Sequence, residues 1–203
     1  MNKILCLNSG GFDSVVMLHY IRENFPEAEI DTLFFRWGQS NCRMEEDCAR
    51  QSSLKVLNKS PIVMTVPSAE IWSSVKMQTD EQYIPMRNLV FLSMAIAYAQ
   101  KNGYDTIAMA AIEAFLPTAY SDASDEFLDN MAYITKMCNI GIYTPFANMY
   151  RDDLFPYAKK YGISERDFFS CNTPVVNANG SLTACGKCAD CKMLNLYKSV
   201  DLP

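Results

Sequence analysis

The sequence predicts an α/β fold: a doubly wound, mainly parallel sheet of five strands, followed by a small cysteine-rich C-terminal segment. Short apolar runs alternate with helix-like patterns along residues 3–161, which is typical of a parallel sheet covered by helices. The apolar runs are continuous, as in strands that are buried on both faces. From Ser170 onward the chain changes to cysteine, asparagine and glycine. We therefore divide it into an α/β domain, residues 1–163, and a C-terminal segment, residues 164–203.

The predicted strands are apolar runs bounded by turn residues. The first, residues 3–8, ends at the turn Ser9-Gly10-Gly11, and the second, residues 31–37, is built around Leu33, Phe34 and Phe35. The other three strands are predicted at residues 61–66, 106–111 and 140–146. A hairpin is also predicted, because the turn sequence at residues 177–180 separates two short apolar runs.

The predicted helices lie between or after these strands, at residues 13–24, 44–57, 89–101, 125–138 and 152–161. In the first helix, Val15, Leu18 and Ile21 fall on one face. In the fourth, Met131 and Ile134 continue the same spacing of three or four residues. Sheets of this class bind their ligands beyond the carboxyl ends of the strands, so we expect the functional site at that edge.

Composition and charge favour a small-molecule substrate. The chain has 203 residues, of which 49% are apolar and 20% charged, and its net charge is −5. This composition excludes disorder as the main state. Binding to nucleic acid needs many Lys and Arg contacts to phosphates, and no basic run is present, so we expect no direct nucleic-acid partner. We also expect a cytoplasmic protein without a membrane partner, because no signal peptide is recognisable and the apolar stretch 89–99 is shorter than the roughly 20 residues that span a bilayer.

A candidate phosphate-binding loop follows the first strand and opens the first helix. Its two glycines expose backbone N–H groups, and the helix N-terminus favours an anion. The carboxylate of Asp13 would repel a bare phosphate, so we expect it to hold a magnesium ion that is bound to that phosphate. A plain turn with Asp13 as the helix N-cap is the alternative. The predicted nucleotide-binding residues here are Asn8, Ser9, Gly10, Gly11, Phe12, Asp13 and Ser14.

Four cysteines of the C-terminal segment are spaced like metal ligands. Cys185, Cys188 and Cys191 form two overlapping CxxC spacings, and Cys171 lies upstream across the predicted hairpin. Four thiolates suit a closed, tetrahedral zinc site with a structural role. An iron–sulfur cluster and a redox CxxC pair are the alternatives.

The loop resembles the pyrophosphate (PP) loop of the N-type ATP pyrophosphatases, and with the cysteine motif it resembles the 7-cyano-7-deazaguanine synthase (QueC) family. Further stretches of the chain are similar to that family in the same order: Trp37-Gly38-Gln39, Ile84-Pro85-Met86-Arg87-Asn88, Tyr143-Thr144-Pro145-Phe146 and Phe169-Ser170-Cys171. The resemblance implies an ATP-dependent conversion of 7-carboxy-7-deazaguanine to the nitrile, or to its amide, with ammonia and through an acyl-adenylate. It also implies a homodimer.

The resemblance implies further site residues. Arg87 and Asn88 would contact ATP phosphates, and Arg151, where the family has Lys, would support the reacting region; surface salt bridges are the alternative for both arginines. The family's substrate segment aligns with residues 120–127, where its Cys, Arg and two Pro are absent and a new Asp125 appears. The residues retained there, and expected to contact substrate, are Tyr120, Asp122, Glu126 and Phe127.

Two other functions stay open from the residues alone. One is a tRNA-modifying enzyme of the same superfamily, although an acidic chain of 203 residues leaves little room for an RNA-binding extension. The other is a non-catalytic nucleotide-binding protein, which the altered 120–127 segment favours and the intact loop disfavours.

Overall fold

Five parallel strands form one sheet. The computed structural model describes residues 1–67, 71, 84–112 and 121–199. The strands are β1 (Lys3–Leu7), β2 (Glu29–Arg36), β3 (Ile62–Thr65), β4 (Thr106–Ala108) and β5 (Gly141–Tyr143), in the order β3-β2-β1-β4-β5. The order reverses at β1 and β4, so the carboxyl ends of these two strands flank a crevice. The predicted five-stranded parallel sheet is confirmed.

The helices in the described ranges are α1 (Phe12–Asn24), α2 (Cys42–Leu57), α3 (Arg87–Asn102), α4 (Asp125–Lys136), α5 (Phe155–Lys160) and α6 (Ala189–Ser199). The helix predicted at 152–161 is shorter than expected: a 3₁₀ turn, Arg151–Leu154, precedes α5. Pro156 lies in the first turn of α5, where its missing N–H leaves no bond unmade. Helix α6 was not predicted, because it begins inside the cysteine motif. None of the helices described has both the length and the apolar character needed to cross a membrane.

Helices cover both faces of the sheet, as predicted for a doubly wound fold. In β1, Ile4 and Cys6 face one core and Leu5 faces the other, because successive side chains of a strand point to opposite sides. Helices α1, α5 and α6 pack in the first core, and α3 and α4 pack in the second.

The C-terminal segment shares the first core. Phe168 and Tyr197 are buried there, and the Tyr197 hydroxyl donates a hydrogen bond to the carbonyl of Ile163 at 2.6 Å. The predicted hairpin is present as β6 (Val175–Val176) and β7 (Leu182–Thr183), paired antiparallel. The boundary at residue 163 stays a prediction, but the two parts it separates are packed together.

Candidate active site

The phosphate loop lies at the carboxyl end of β1, where the sheet order reverses. Gly10 adopts a left-handed conformation with φ of +75°, and a Cβ added to it would lie 2.0 Å from the carbonyl oxygen of Glu45. Only glycine fits this position, for both reasons. The loop therefore turns sharply against α2 and directs the chain into α1.

Asn8 connects the loop to helix α2. Its buried side-chain amide donates to the hydroxyls of Ser52 and Ser53 on α2, at 3.0 and 3.2 Å. Its carbonyl oxygen accepts from the Gly10 N–H at 3.1 Å and from the Ser14 hydroxyl at 3.3 Å. Since both ends of the amide are engaged within the protein, Asn8 shapes the loop from inside the fold.

The start of α1 brings two serine hydroxyls together beside the loop. Its N-cap is Gly11, without a side-chain capping bond, so the alternative role of Asp13 as the N-cap is wrong. The Ser9 and Ser14 hydroxyls are 3.0 Å apart, and Ser9 also accepts from the Gly11 N–H. The Phe12 ring is buried in the first core, which leaves its backbone as the part of the residue at the loop.

Arg151 joins the loop to the cysteine-rich segment. Its Nη2 donates to Asp13 Oδ2 at 2.9 Å, and its Nη1 donates to Asp190 Oδ1. Among the described residues, the buried atoms Asp13 Oδ1 and Arg151 Nε have no hydrogen-bond partner. Burial raises the pKa of Asp13, and the guanidinium opposes that rise. A buried carboxylate oxygen without a partner beside a phosphate loop fits a magnesium ligand.

Glu45 is a site residue that the sequence analysis missed. Its Oε1 accepts from the Asn41 side chain at 2.8 Å and its Oε2 from the Gln39 side chain at 3.2 Å. Burial raises the pKa of Glu45 to about 7, and the nearby charge of Arg87 opposes that rise. The signal available was its place in the first turn of α2, six residues after Gln39 of Trp37-Gly38-Gln39.

Arg87 stacks on aromatic rings at the start of α3. Its guanidinium carbon lies 5.2 Å from the ring centre of Trp37 and 6.0 Å from that of Phe91. The preceding residue, Met86, is held in a left-handed conformation with φ of +52°. Such backbone strain in a bulky residue is typical of a functional turn.

The altered substrate segment is tied to the same turn. The Asp122 carboxylate accepts from the Asn88 backbone N–H at 2.7 Å, and the Asn88 side chain donates to the Asp122 carbonyl at 2.9 Å. In α4, Glu126 is exposed and Phe127 packs against the second core. Tyr120 lies outside the described residues. The roles of all four in substrate binding stay predictions.

The four predicted metal ligands come together. The sulfurs of Cys171, Cys185, Cys188 and Cys191 all lie within 4.8 Å of one another, and those of Cys185 and Cys191 are 3.9 Å apart. Hydrogen bonds surround these sulfurs, and the one from the Thr173 hydroxyl lowers the pKa of Cys185 to about 6.

This geometry fits a single tetrahedral ion. Zinc–sulfur bonds of 2.3 Å place the four sulfurs of a tetrahedron about 3.8 Å apart. An iron–sulfur cluster would hold its cysteine sulfurs farther apart, since iron and sulfide atoms lie between them. The cluster could therefore hold a metal ion, and its dimensions fit zinc.

Comparisons with known proteins show the family of this chain. A family model described as "Queuosine biosynthesis protein QueC" matches residues 3–196. A protein named 7-cyano-7-deazaguanine synthase 1 from Sulfurisphaera tokodaii is 28% identical over 204 residues, which cover 98% of this chain and 95% of the relative. A 7-cyano-7-deazaguanine synthase from Persephonella marina is 26% identical, over 99% of this chain and 94% of that protein.

The fold is also similar to a solved structure. This is the U34-tRNA thiolase NcsA from Methanococcus maripaludis with its [4Fe-4S] cluster, at a TM-score of 0.56 and 10% identity. The match covers 100% of this chain and 75% of that one. At that identity the likeness concerns the fold.

Proposed function

Because the chain belongs to the QueC family, we propose that it converts 7-carboxy-7-deazaguanine to 7-cyano-7-deazaguanine with ATP and ammonia. The family and the relatives indicate synthesis of this nitrile in deazapurine biosynthesis. The observation that carries the proposal is the phosphate loop with its partly buried ion pair, Asp13 and Arg151. The pair leaves one buried carboxylate oxygen and one buried guanidinium nitrogen without partners among the described residues.

The proposed chemistry begins with the substrate carboxylate. A carboxylate is a poor electrophile, so its oxygen attacks the α-phosphorus of ATP and displaces pyrophosphate to form an acyl-adenylate. Ammonia then attacks the carbonyl carbon and AMP leaves, giving the amide. The amide oxygen then attacks the α-phosphorus of a second ATP and displaces a second pyrophosphate. Loss of both N–H protons, with departure of the oxygen as part of AMP, gives the nitrile.

The residues at the crevice have distinct roles in this proposal. The N-terminus of α1, with Ser9 and Ser14, binds the phosphates through hydrogen bonds. Asp13 Oδ1 holds a magnesium ion, which screens the phosphate charge. Arg87 and Arg151 stabilise charge that develops on the phosphates as pyrophosphate or AMP leaves.

The four-cysteine site holds zinc in this proposal. The segment 121–127 forms a wall of the substrate pocket, in which Asp122 and Glu126 accept hydrogen bonds from the amino edge of the deazaguanine ring. Loss of the family's Arg makes that wall more acidic than in the family, so it favours the amino edge of the ring over its carboxylate.

The experiment is product analysis with isotopic ammonia. The zinc-loaded protein is incubated with ATP, magnesium, ¹⁵N-ammonium and 7-carboxy-7-deazaguanine, and AMP and deazaguanine products are followed by mass spectrometry. We expect ¹⁵N-labelled nitrile and AMP, with neither formed when the carboxylate is omitted. Labelled amide as the final product would limit the enzyme to the first half of the reaction. Absence of AMP from a folded sample would contradict the proposal and favour a non-catalytic nucleotide-binding protein.

We further propose that the protein acts in the cytoplasm, and that it is a homodimer, as the resemblance implies. Light scattering on the purified chain measures its mass directly. A mass of twice 22.9 kDa is expected.

A further inference from the structure

The cysteine cluster lies directly against the phosphate loop. The Phe12 N–H, at the start of α1, donates to the Ser170 hydroxyl at 3.0 Å. The Phe169 N–H donates to the Gly10 carbonyl at 2.9 Å. Phe169 and Ser170 directly precede Cys171, so the segment that leads into the cysteine cluster forms one side of the loop.

A second connection runs from the other end of the cluster. Asp190 lies between the ligands Cys188 and Cys191 and accepts a hydrogen bond from Arg151. The same guanidinium donates to Asp13 in the phosphate loop. The other oxygen of Asp190 accepts from the Asn172 side chain, which holds the carboxylate in place.

The charges of this chain of contacts do not cancel. Two carboxylates share one guanidinium, so the group carries one net negative charge. Asp190 holds Arg151 to one side and takes part of its hydrogen-bonding capacity. Beside this shared guanidinium, Asp13 Oδ1 has no hydrogen-bond partner among the described residues.

On the premise that the loop binds ATP, we propose that the four-cysteine metal centre is a positioning element of the nucleotide site. The metal fixes Ser170 and Asp190; Ser170 holds the N-terminus of α1, and Asp190 acts through Arg151 on Asp13. Ser170 and Asp190 are thus positioning residues that tune the loop for magnesium-bound nucleotide. A purely structural metal would fold the tail without affecting the loop.

The test uses two variants that leave the cysteines unchanged. In the full-length, zinc-loaded protein we compare Asp190→Asn and Ser170→Ala with Glu165→Gln. Glu165 is an acidic residue of the same C-terminal segment and forms an ion pair with Lys198, so its variant is a matched control. The measurements are zinc content, hydrogen exchange of the amides of residues 9–15, and affinity for α,β-methylene-ATP over a magnesium titration.

We expect both test variants to retain zinc and to bind the nucleotide analogue about tenfold more weakly, the size expected when one well-placed or charge-assisted hydrogen bond is lost. The Phe12 amide should exchange faster in Ser170→Ala, and Asp190→Asn should need more magnesium for half-maximal binding. Glu165→Gln should match the wild type.

Two results separate this inference from the proposed function. Wild-type exchange and wild-type affinity in both variants would overturn the inference and leave the proposed function standing. Faster loop exchange in the variants, in a protein that binds no nucleotide even as wild type, would support the coupling between tail and loop and refute the proposed function.

Discussion

Gly10 of the phosphate loop lies against the backbone of Glu45 so closely that a Cβ at position 10 would be 2.0 Å from that carbonyl oxygen. The contact joins the loop to the first turn of α2. The side chain of Glu45 is half-buried beside the same loop, close to the charges of Arg87 and Asp190. One backbone approach therefore places an ionisable carboxyl group at the candidate active site.

Gly10→Ala should destabilise the protein and abolish nucleotide binding. A suitable control is Gly180→Ala, because Gly180 has a similar φ of +79° and nothing within 4 Å of an added Cβ. The control should lose about 1 kcal/mol of unfolding free energy, because alanine is strained in the left-handed backbone conformation. Gly10→Ala should lose about 2 kcal/mol more, because helix α2 must also move. Equal losses of unfolding free energy for the two variants, measured with urea, would show that the loop accommodates the added Cβ without further strain.

Asn8→Ala should lower the free energy of unfolding by about 3 kcal/mol, because it leaves several buried hydroxyl and N–H groups without partners. Asn24→Ala is the control, since the Asn24 side chain makes an exposed bond to the Tyr20 carbonyl. The control should change stability by less than about 1 kcal/mol. A similar small loss for Asn8→Ala would mean that water replaces its amide.

Glu45 should make the protein less stable as pH rises. Its pKa is about 7 in the folded protein and 4.5 as the ordinary value, so the folded state binds the proton more tightly. Stability from this group is fully present below about pH 4.5 and is lost as pH rises through about 7, by up to about 3 kcal/mol. Glu45→Gln should remove that slope. We would measure urea unfolding from pH 4.5 to 8; parallel curves for the two proteins would refute the assignment.

Cys188→Ser should abolish stoichiometric zinc binding and lower the free energy of unfolding by about 2 kcal/mol, or Tm by roughly 5 °C. The control is Cys138→Ser, because Cys138 lies outside the cluster and is half-buried. Elemental analysis and circular dichroism provide the readouts. One zinc per chain in the wild type and in the control is expected; iron with visible absorption would identify an iron–sulfur cluster instead.

Asp122→Ala should lower the free energy of unfolding by about 1 kcal/mol, because Asp122 caps the start of α3 by accepting a hydrogen bond from the Asn88 N–H. Asp122→Ser should recover most of that stability, since a hydroxyl also caps. The Asp122→Ser variant should still raise KM for 7-carboxy-7-deazaguanine about tenfold, because serine lacks the charge proposed to bind the amino edge of the ring. Asp129→Ala, at an exposed position of α4, controls for general effects. Wild-type KM in Asp122→Ser would remove Asp122 from the substrate site.

Local patterns were sufficient to predict much of this protein. Apolar runs that alternate with helical patterns predicted the parallel sheet. The glycine pair after β1 predicted the phosphate loop. The spacing of Cys185, Cys188 and Cys191, with Cys171 upstream, predicted a cluster that the structure brings together. These signals are readable because each depends on neighbouring residues or on a motif whose chemistry is shared by many proteins.

Helix α6 and the role of Glu45 were not predicted. The cysteine motif concealed the start of the helix, and a lone glutamate in a polar helix looks like a solvated residue until its burial is known. The resemblance predicts that Asp122 contacts the substrate, whereas its hydrogen bonds to Asn88 become visible only in the tertiary structure.

The sequence by itself determined the fold class, the place of the phosphate loop and the identity of the metal ligands. The tertiary structure decided that Arg151 lies between Asp13 and Asp190, residues 138 positions before it and 39 after it. It also decided that the carbonyl of Glu45 excludes every side chain at Gly10. The physical reason is that periodicity and spacing are properties of short stretches of chain, whereas a shared guanidinium or a backbone approach exists once packing has brought distant segments together.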